Sequence, residues 1–420
     1  MASTGGDLRD EEPNGDRLPA RYWRLWCAGA IDNVGTGALV AAMPLLAVTL
    51  TTDPRLVSVV AAAAFVPWLL FALPAGALVD RYDRISLMQA AQVFQAVVVT
   101  AVVILVVTGR MGVVSLTVAA FLVGVGQVVF GIASQSVLPE IVGRPLLARA
   151  NARQYLATTI GQGFVGPPVG SALFGVAVAL PFGVDVVALV ASVLLLTTVR
   201  RPRSRGTARP VAPVAPPGIA KGLRWLTGHR LLRTLAVLLG VNTFCFQVGN
   251  VTLVLLATDE LGVTAAGYGV LLAVAAVGSV LGGLLTAGLV DRYGQVPVLV
   301  VALAVNAGVF VGLGLSPDVR VLAALLALSG LVTAVWNVVT VTLRQELVPL
   351  ALLGRVNSVY RLLGWGLIPL GALAGGLIAH ELSVRAGYPI AGAIRALALL
   401  ISLPVLIRVR REARRPPSAR

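Results

Sequence analysis

Gly76-Ala77-Leu78-Val79-Asp80-Arg81-Tyr82-Asp83-Arg84 and Ala287-Gly288-Leu289-Val290-Asp291-Arg292-Tyr293-Gly294 place the same charged turn between apolar runs twice. The shared pentapeptide Leu-Val-Asp-Arg-Tyr begins at Leu78 and again at Leu289, 211 positions on, in a chain of 420 residues. A charged turn recurring at half the chain length, flanked each time by apolar sequence, marks two copies of one membrane-embedded half.

The composition agrees. Hydrophobic residues make up 57% and charged residues only 12%, about half the charged share of a soluble domain, and the mean hydropathy is +0.90. A helix needs about 20 apolar residues to cross the hydrocarbon core. Charge-free runs of that length lie between Arg55 and Asp80, Arg84 and Arg110, Arg110 and Glu140, Arg233 and Asp259, Glu260 and Asp291, Arg292 and Asp318, and Arg320 and Arg344. Five further runs carry a polar interruption: 22–50 with Asp32, 149–175, 178–199 with Asp185, 357–380, and 387–407 with Arg395. Six spans precede a basic central stretch and six follow it, so both halves enter the membrane in the same direction, as parallel repeats do. The expected fold is an all-α polytopic membrane protein with twelve spans in two six-helix bundles, 21–199 and 231–407. A tail of residues 1–20 precedes them, a linker of 200–230 joins them, and a basic tail of 408–420 follows.

Lys and Arg concentrate on the cytoplasmic side of membrane proteins. With the N-terminus placed inside, only Arg55, Arg110, Arg320 and Arg385 of the 33 Lys and Arg fall on the outer side, and Arg395 falls within the last span. Both termini are therefore expected in the cytoplasm. The net charge of +15 is explained by this topology and by anionic lipid, so nucleic acid is not an expected partner. Residues 1–20 are polar and acidic, unlike a cleaved leader, and the first span is expected to act as its own insertion signal. Between Arg200 and Pro217 five prolines and clustered arginines read as a flexible linker. Ile219 to Arg233 alternates basic and apolar residues as a helix lying on the inner interface would. Cys27 and Cys245 sit in apolar surroundings without metal or disulfide spacing and are expected to pack. No metal cluster, catalytic triad or phosphate loop is found, so an enzyme, a metal and a cofactor are not expected.

Three motifs carry a resemblance. Gly76 to Arg84 is similar to a loop pattern Gly-x-Leu-x-Asp-Arg-x-Gly-Arg, with Asp83 at the second-last position. Leu138-Pro139-Glu140 through Arg144, followed by Leu147-Ala148-Arg149-Ala150-Asn151-Ala152, forms a second tract, echoed by Leu353-Gly354-Arg355-Val356-Asn357-Ser358. Gly161-Gln162-Gly163-Phe164-Val165-Gly166-Pro167-Pro168-Val169-Gly170-Ser171 is similar to the span-five signature Gly-x-x-x-Gly-Pro-x-x-Gly-Gly, with Gln162 and Ser171 as departures. Together these resemble the major facilitator superfamily, and within it the branch of bacterial enterobactin-type and drug exporters. The resemblance covers nearly the whole chain. It implies a monomeric secondary transporter in the bacterial inner membrane that exports an amphipathic small molecule by alternating access; a small-solute importer and a non-transporting receptor on the same fold are the alternatives.

The resemblance also suggests roles for particular residues. Asp80, Arg81, Arg84, Asp291 and Arg292 are expected to form a cytoplasmic gate, the carboxylates favouring neighbouring helix N-termini. Gly163, Gly166, Pro167 and Gly170 let helices approach and bend, and the family associates this signature with export. Ionisable groups within the membrane are costly and by default functional. Asp32 lies about eleven residues into span one, near mid-bilayer at 1.5 Å per residue, and with Asn33 and Thr36 it is the leading candidate for a proton or substrate-cation site; a packing hydrogen bond is the rival reading. Asp185 reads as structural. Spans one, four, seven and ten line the cavity in this superfamily, which adds Gln127 and Gln135, Asn242, Gln247 and Asn250, and Trp336, Asn337, Thr340 and Arg344. Asn337, Thr340 and Arg344 share one helical face. The arginine that drug/proton antiporters often carry in span four has no counterpart between Arg110 and Glu140, which leaves the coupling ion open.

Overall fold

Charged turns and prolines cut the chain into helices at the expected places. The computed structural model describes residues 18–142, 146–199 and 224–413. Residues 1–17, 143–145 with Arg144 of the second motif, the linker from 200 to 223, and 414–420 lie outside the described residues; the last helix runs six residues into the expected basic tail. The first half holds α1 (Ala20–Leu50), α2 (Pro54–Arg81), α3 (Arg84–Val107), α4 (Val113–Ile141), α5 (Leu147–Thr158), α6 (Gly166–Val176) and α7 (Leu180–Thr197). The second holds α8 (Arg230–Asn250), α9 (Ala265–Tyr293), α10 (Gln295–Gly314), α11 (Val319–Leu347), α12 (Leu350–Gly366), α13 (Ile368–Glu381) and α14 (Gly387–Ala413). Among the described residues, eleven crossings are long and apolar enough to span a bilayer. The twelfth is α5 and α6, joined by a π-helical turn at Thr159–Val165.

Each boundary has a local cause. Asp53 accepts from the Arg55 amide ahead of Pro54, and Asp318 accepts from the amides of Arg320 and Val321 at the start of α11. Asp83, the departure from the first motif, caps α3 by accepting from the Ser86 amide and hydroxyl at 2.9 and 2.7 Å, a bond worth about 1 kcal/mol. Its counterpart Gly294 ends α9 at φ 86°, a conformation that favours glycine. The π turn precedes Pro167 and Pro168, which have no amide hydrogen to donate; the Gly166 amide reaches the Gly161 carbonyl instead, the wider repeat of a π bulge. Within the expected interfacial helix, the described part is a short turn at 224–228, which ends where His229 caps α8 by accepting from the Leu232 amide.

The repeat extends to single hydrogen bonds. The Tyr22 hydroxyl donates to the Ala150 carbonyl at 3.1 Å, and the Tyr360 hydroxyl donates to the Leu232 carbonyl at 2.6 Å. These pairs are related by 210 positions with donor and acceptor exchanged.

Packing differs between the two faces of the molecule. The terminal face is where α1 begins and α14 ends; the distal face is opposite. Toward the distal face one apolar core runs through both bundles, joining Leu45, Val57, Val99 and Phe174 to Val248, Leu255, Phe310 and Tyr388. Toward the terminal face the core splits: Tyr22, Met88, Val137 and Leu196 pack within the first bundle, and Leu232, Leu299, Trp336 and Tyr360 within the second. The bundles therefore meet distally and part at the terminal face. Small residues make the distal contacts close: Gly376 faces Ser58 where α13 crosses α2, and Gly269 faces Ser171 and Pro167 where α9 crosses α6.

Candidate functional site

The gap at the terminal face contains a cavity of about 360 Å³ against the second bundle, lined by α8, α11 and α12. Trp336, Asn337, Thr340 and Arg344 come from α11, and Asn357, Tyr360, Arg361 and Trp365 from α12. Thr340 donates back to the Trp336 carbonyl at 2.8 Å, so it contributes bulk and an acceptor. The Arg344 guanidinium lies 4.5 Å over the Tyr360 ring, and that ring is fixed by its bond to Leu232. The first bundle reaches across at two places: Trp68 of α2 stacks on Trp365 at 4.8 Å, and Gln135 of α4 accepts from Arg361 at 3.5 Å.

Distally the gap is shut by the glycine contacts and by charge. His380 of α13 stands 3.7 Å from the Asp53 carboxylate and 3.9 Å from Glu381, so an ion pair crosses between bundles when the imidazole is protonated. Arg55 completes the cluster at 2.9 Å from Asp53, and its hydrogen bonds hold the Asp53 carboxyl below the usual carboxylate range. A depressed carboxyl pKa means that its contribution is present at neutral pH and is lost as pH falls through the folded value. Asp53→Asn is expected to loosen this face at pH 7. A cysteine placed at the buried Ser58 should react with an impermeant maleimide a few-fold faster, the scale of an exposed pair; an unchanged rate would assign closure to the glycine contacts alone.

The intramembrane acid sits elsewhere. Asp32 is buried and accepts from Gln92 Nε2 of α3 at 3.3 Å. The same amide donates to Ser192 Oγ of α7 at 2.7 Å, and Ser192 donates to the Ala28 carbonyl at 3.0 Å. Asp185 is also buried, and its Oδ1 lies against Gly35, one turn from Asp32. Two carboxyl groups thus share a cluster between α1, α3 and α7, inside the first bundle and outside the lining of the cavity. Asp32 is not among the residues that line the cavity. The second bundle carries the opposite charge at the matching place, since Asp185 and Asp32 correspond, 210 positions on, to Arg395 and Asn242. Arg395 is buried, bonds Asn306 Oδ1 and the Asn242 carbonyl, and lies 3.7 Å over Phe310.

The other expected site residues divide similarly. Asn33 accepts from Gln162 at 2.9 Å, which gives the motif departure Gln162 a structural reason, and Thr36 is half-buried beside it. Gln247 is buried, its Cβ close to Gly371 of α13; Asn250 is exposed at the end of α8, and Gln127 is half-buried on α4. In the expected gate, Arg81, Asp291 and Arg292 are exposed and Arg84 is half-buried, as suits a parted terminal face; the Asp80 and Arg355 side chains lie outside the described residues. Gly166 and Gly170 meet Gly37 and Ala38 of α1, while Gly163 faces Ala276 of α9. Pro167 lies between these contacts. Cys245 is buried as expected, but Cys27 is exposed, because its face of α1 is turned away from α5 and α7. Sequence reading missed Asn357, Tyr360, Arg361 and Trp365. Their signal was present as a polar and aromatic stripe at helical spacing in span eleven.

The profile of the transmembrane secretion effector family matches residues 20–420. Among curated proteins, the multidrug efflux pump Tap of Mycolicibacterium fortuitum is 28% identical, covering 90% of this chain and 92% of its own length. Macrolide efflux protein A of Streptococcus pyogenes is 22% identical, covering 93% and 97%. Among solved structures, a bacterial homologue of the iron transporter ferroportin in its inward-facing state superposes with a TM-score of 0.73 at 15% identity, covering 92% of this chain and 98% of that one. Its outward-facing state gives 0.62 at 17% identity, covering 93% and 99%.

Proposed function

This chain belongs to the transmembrane secretion effector family of major facilitator transporters, and from that premise we propose that it exports amphipathic small molecules from the bacterial cytoplasm by alternating access. The observation that carries this reading is the division of the apolar core, continuous through both bundles distally and split in two at the terminal face. With the Lys- and Arg-rich terminal face in the cytoplasm, the cavity opens inward, ready to load. Bundles 21–199 and 231–407 then rock about the α2–α13 and α6–α9 contacts. Trp336 and Trp365 suit an apolar body, and Asn337 and Asn357 suit polar substituents. The efflux activities named for the relatives support a drug-like substrate.

The drive is assigned to protons at the Asp32 and Asp185 cluster. Two carboxylates packed in one cluster are expensive to hold ionised in hydrocarbon, so taking up a proton changes the packing of α1 against α3 and α7. The transporter works as a monomer in the inner membrane, both termini inside and the basic loops against anionic lipid.

Uptake of radiolabelled erythromycin into inside-out vesicles, acidified within, tests export. Erythromycin is a weak base that any acidified vesicle traps, so the expected result is accumulation above that of protein-free vesicles, which collapses when the pH gradient is dissipated. Accumulation in right-side-out vesicles instead would make the protein an importer.

A further inference from the structure

We infer that the preferred substrate of this exporter is an organic acid, an amphiphile whose anionic group binds at Arg344 and Arg361 and whose rings lie between Trp336 and Trp365. The inference rests on the export reading and adds the charge of the cargo. Among the described residues, both charged side chains lining the cavity are arginines and none is a carboxylate. Arg344 is half-buried, its Nε has no hydrogen-bond partner among the described residues, and its guanidinium lies over the neutral Tyr360 ring. Its place in the last turn of α11 favours a cation through the helix dipole, but that leaves the buried donor unfilled. An unfilled buried donor is costly, and a turn of the guanidinium toward the cavity would let a carboxylate or sulfonate fill it, using the planar fork that makes arginine suited to such groups. Among the described residues, Arg361 has one weak hydrogen bond, the 3.5 Å bond to Gln135, so it can turn toward the same anion.

The depth profile matches an amphiphile. Arg344 is three residues from the end of α11 at Leu347, and Trp336 lies eight residues deeper, about 12 Å at the helical rise. The charged end of the cavity is therefore at the membrane surface and the aromatic end near its middle. A cationic amphiphile entering the same way would meet two guanidinium groups with no acid among the described lining residues to offset them.

The test compares two probes with the same ring and chain, pyrenebutyrate and pyrenebutyltrimethylammonium, taken up by the full-length protein in phosphatidylcholine vesicles, where no anionic lipid competes. Wild type should favour the acid at least tenfold in kcat/KM. Arg344→Gln should raise KM for the acid about tenfold, and Arg344→Lys should restore part of it, with thermal unfolding showing that both variants fold. Arg361→Gln should raise the same KM less. Preference for the cation, or an acid KM indifferent to Arg344→Gln and Arg361→Gln, would overturn the inference. So would inhibition of acid uptake by added phosphatidylglycerol, which would give the site to a lipid. Erythromycin uptake in inside-out vesicles separates the two levels: if it persists while the acid is refused, the charge assignment falls and export stands.

Discussion

Gly166→Val is expected to abolish transport and lower the melting temperature of the purified protein, while Gly175→Ala in the same helix leaves both unchanged. A Cβ on Gly166 would sit 2.6 Å from the Gly161 carbonyl and 2.7 Å from the Gly37 carbonyl carbon. Both are backbone atoms with no rotamer to relieve the clash. Overpacking of this kind costs about 1–3 kcal/mol or more, and here it falls where α6 touches α1 on one side while the neighbouring Pro167 touches α9 on the other, at a crossing about which the bundles must rock. Gly175 has open space at the same position, so it controls for helix propensity. Normal transport by Gly166→Val would mean that these helices stand further apart during function.

Asp32→Asn is the second large effect. Asparagine keeps the size of the side chain and can still bond Gln92, so folding should survive. What is lost is the ability to gain and lose a proton. One pH unit supplies about 1.4 kcal/mol per proton, a tenfold accumulation, and the variant should lose that gain and equilibrate substrate to a ratio near one. Because Asp32 lies outside the cavity lining, KM for down-gradient transport should be unchanged. A raised KM with accumulation intact would reverse the assignment and make Asp32 a substrate contact.

The fold could be read in the sequence because its signals are local. The repeated Asp-Arg-Tyr turn, the charge-free runs and the bias of arginine to one side each follow from the bilayer acting on a short segment, and eleven of twelve crossings meet length and hydropathy criteria directly. The fifth was weaker because α5 carries Arg149, Asn151, Arg153 and Gln154, and its π turn is a consequence of two prolines and a glycine contact across helices. The site was harder. The depth of Asp32 follows from counting residues, but the face it presents depends on how α1 packs against α3 and α7, which is a tertiary fact. Arg344 and Asn337 were found through their helical spacing on span ten. Tyr360, Arg361 and Trp365 were missed because span eleven was not among the spans expected to line the cavity.

Alternating access is tested most directly by two distances measured on one protein. Spin labels at exposed Tyr82 and Tyr293, at the terminal ends of α2 and α9, report the opening of that face, and labels at exposed Leu56 and Leu382 report the distal closure between α2 and α13. On addition of substrate with a pH gradient, the terminal distance should shorten as the distal distance lengthens. Terminal and distal distances that stay fixed under all conditions, in protein that still transports, would contradict a rocking mechanism about the α2–α13 and α6–α9 contacts.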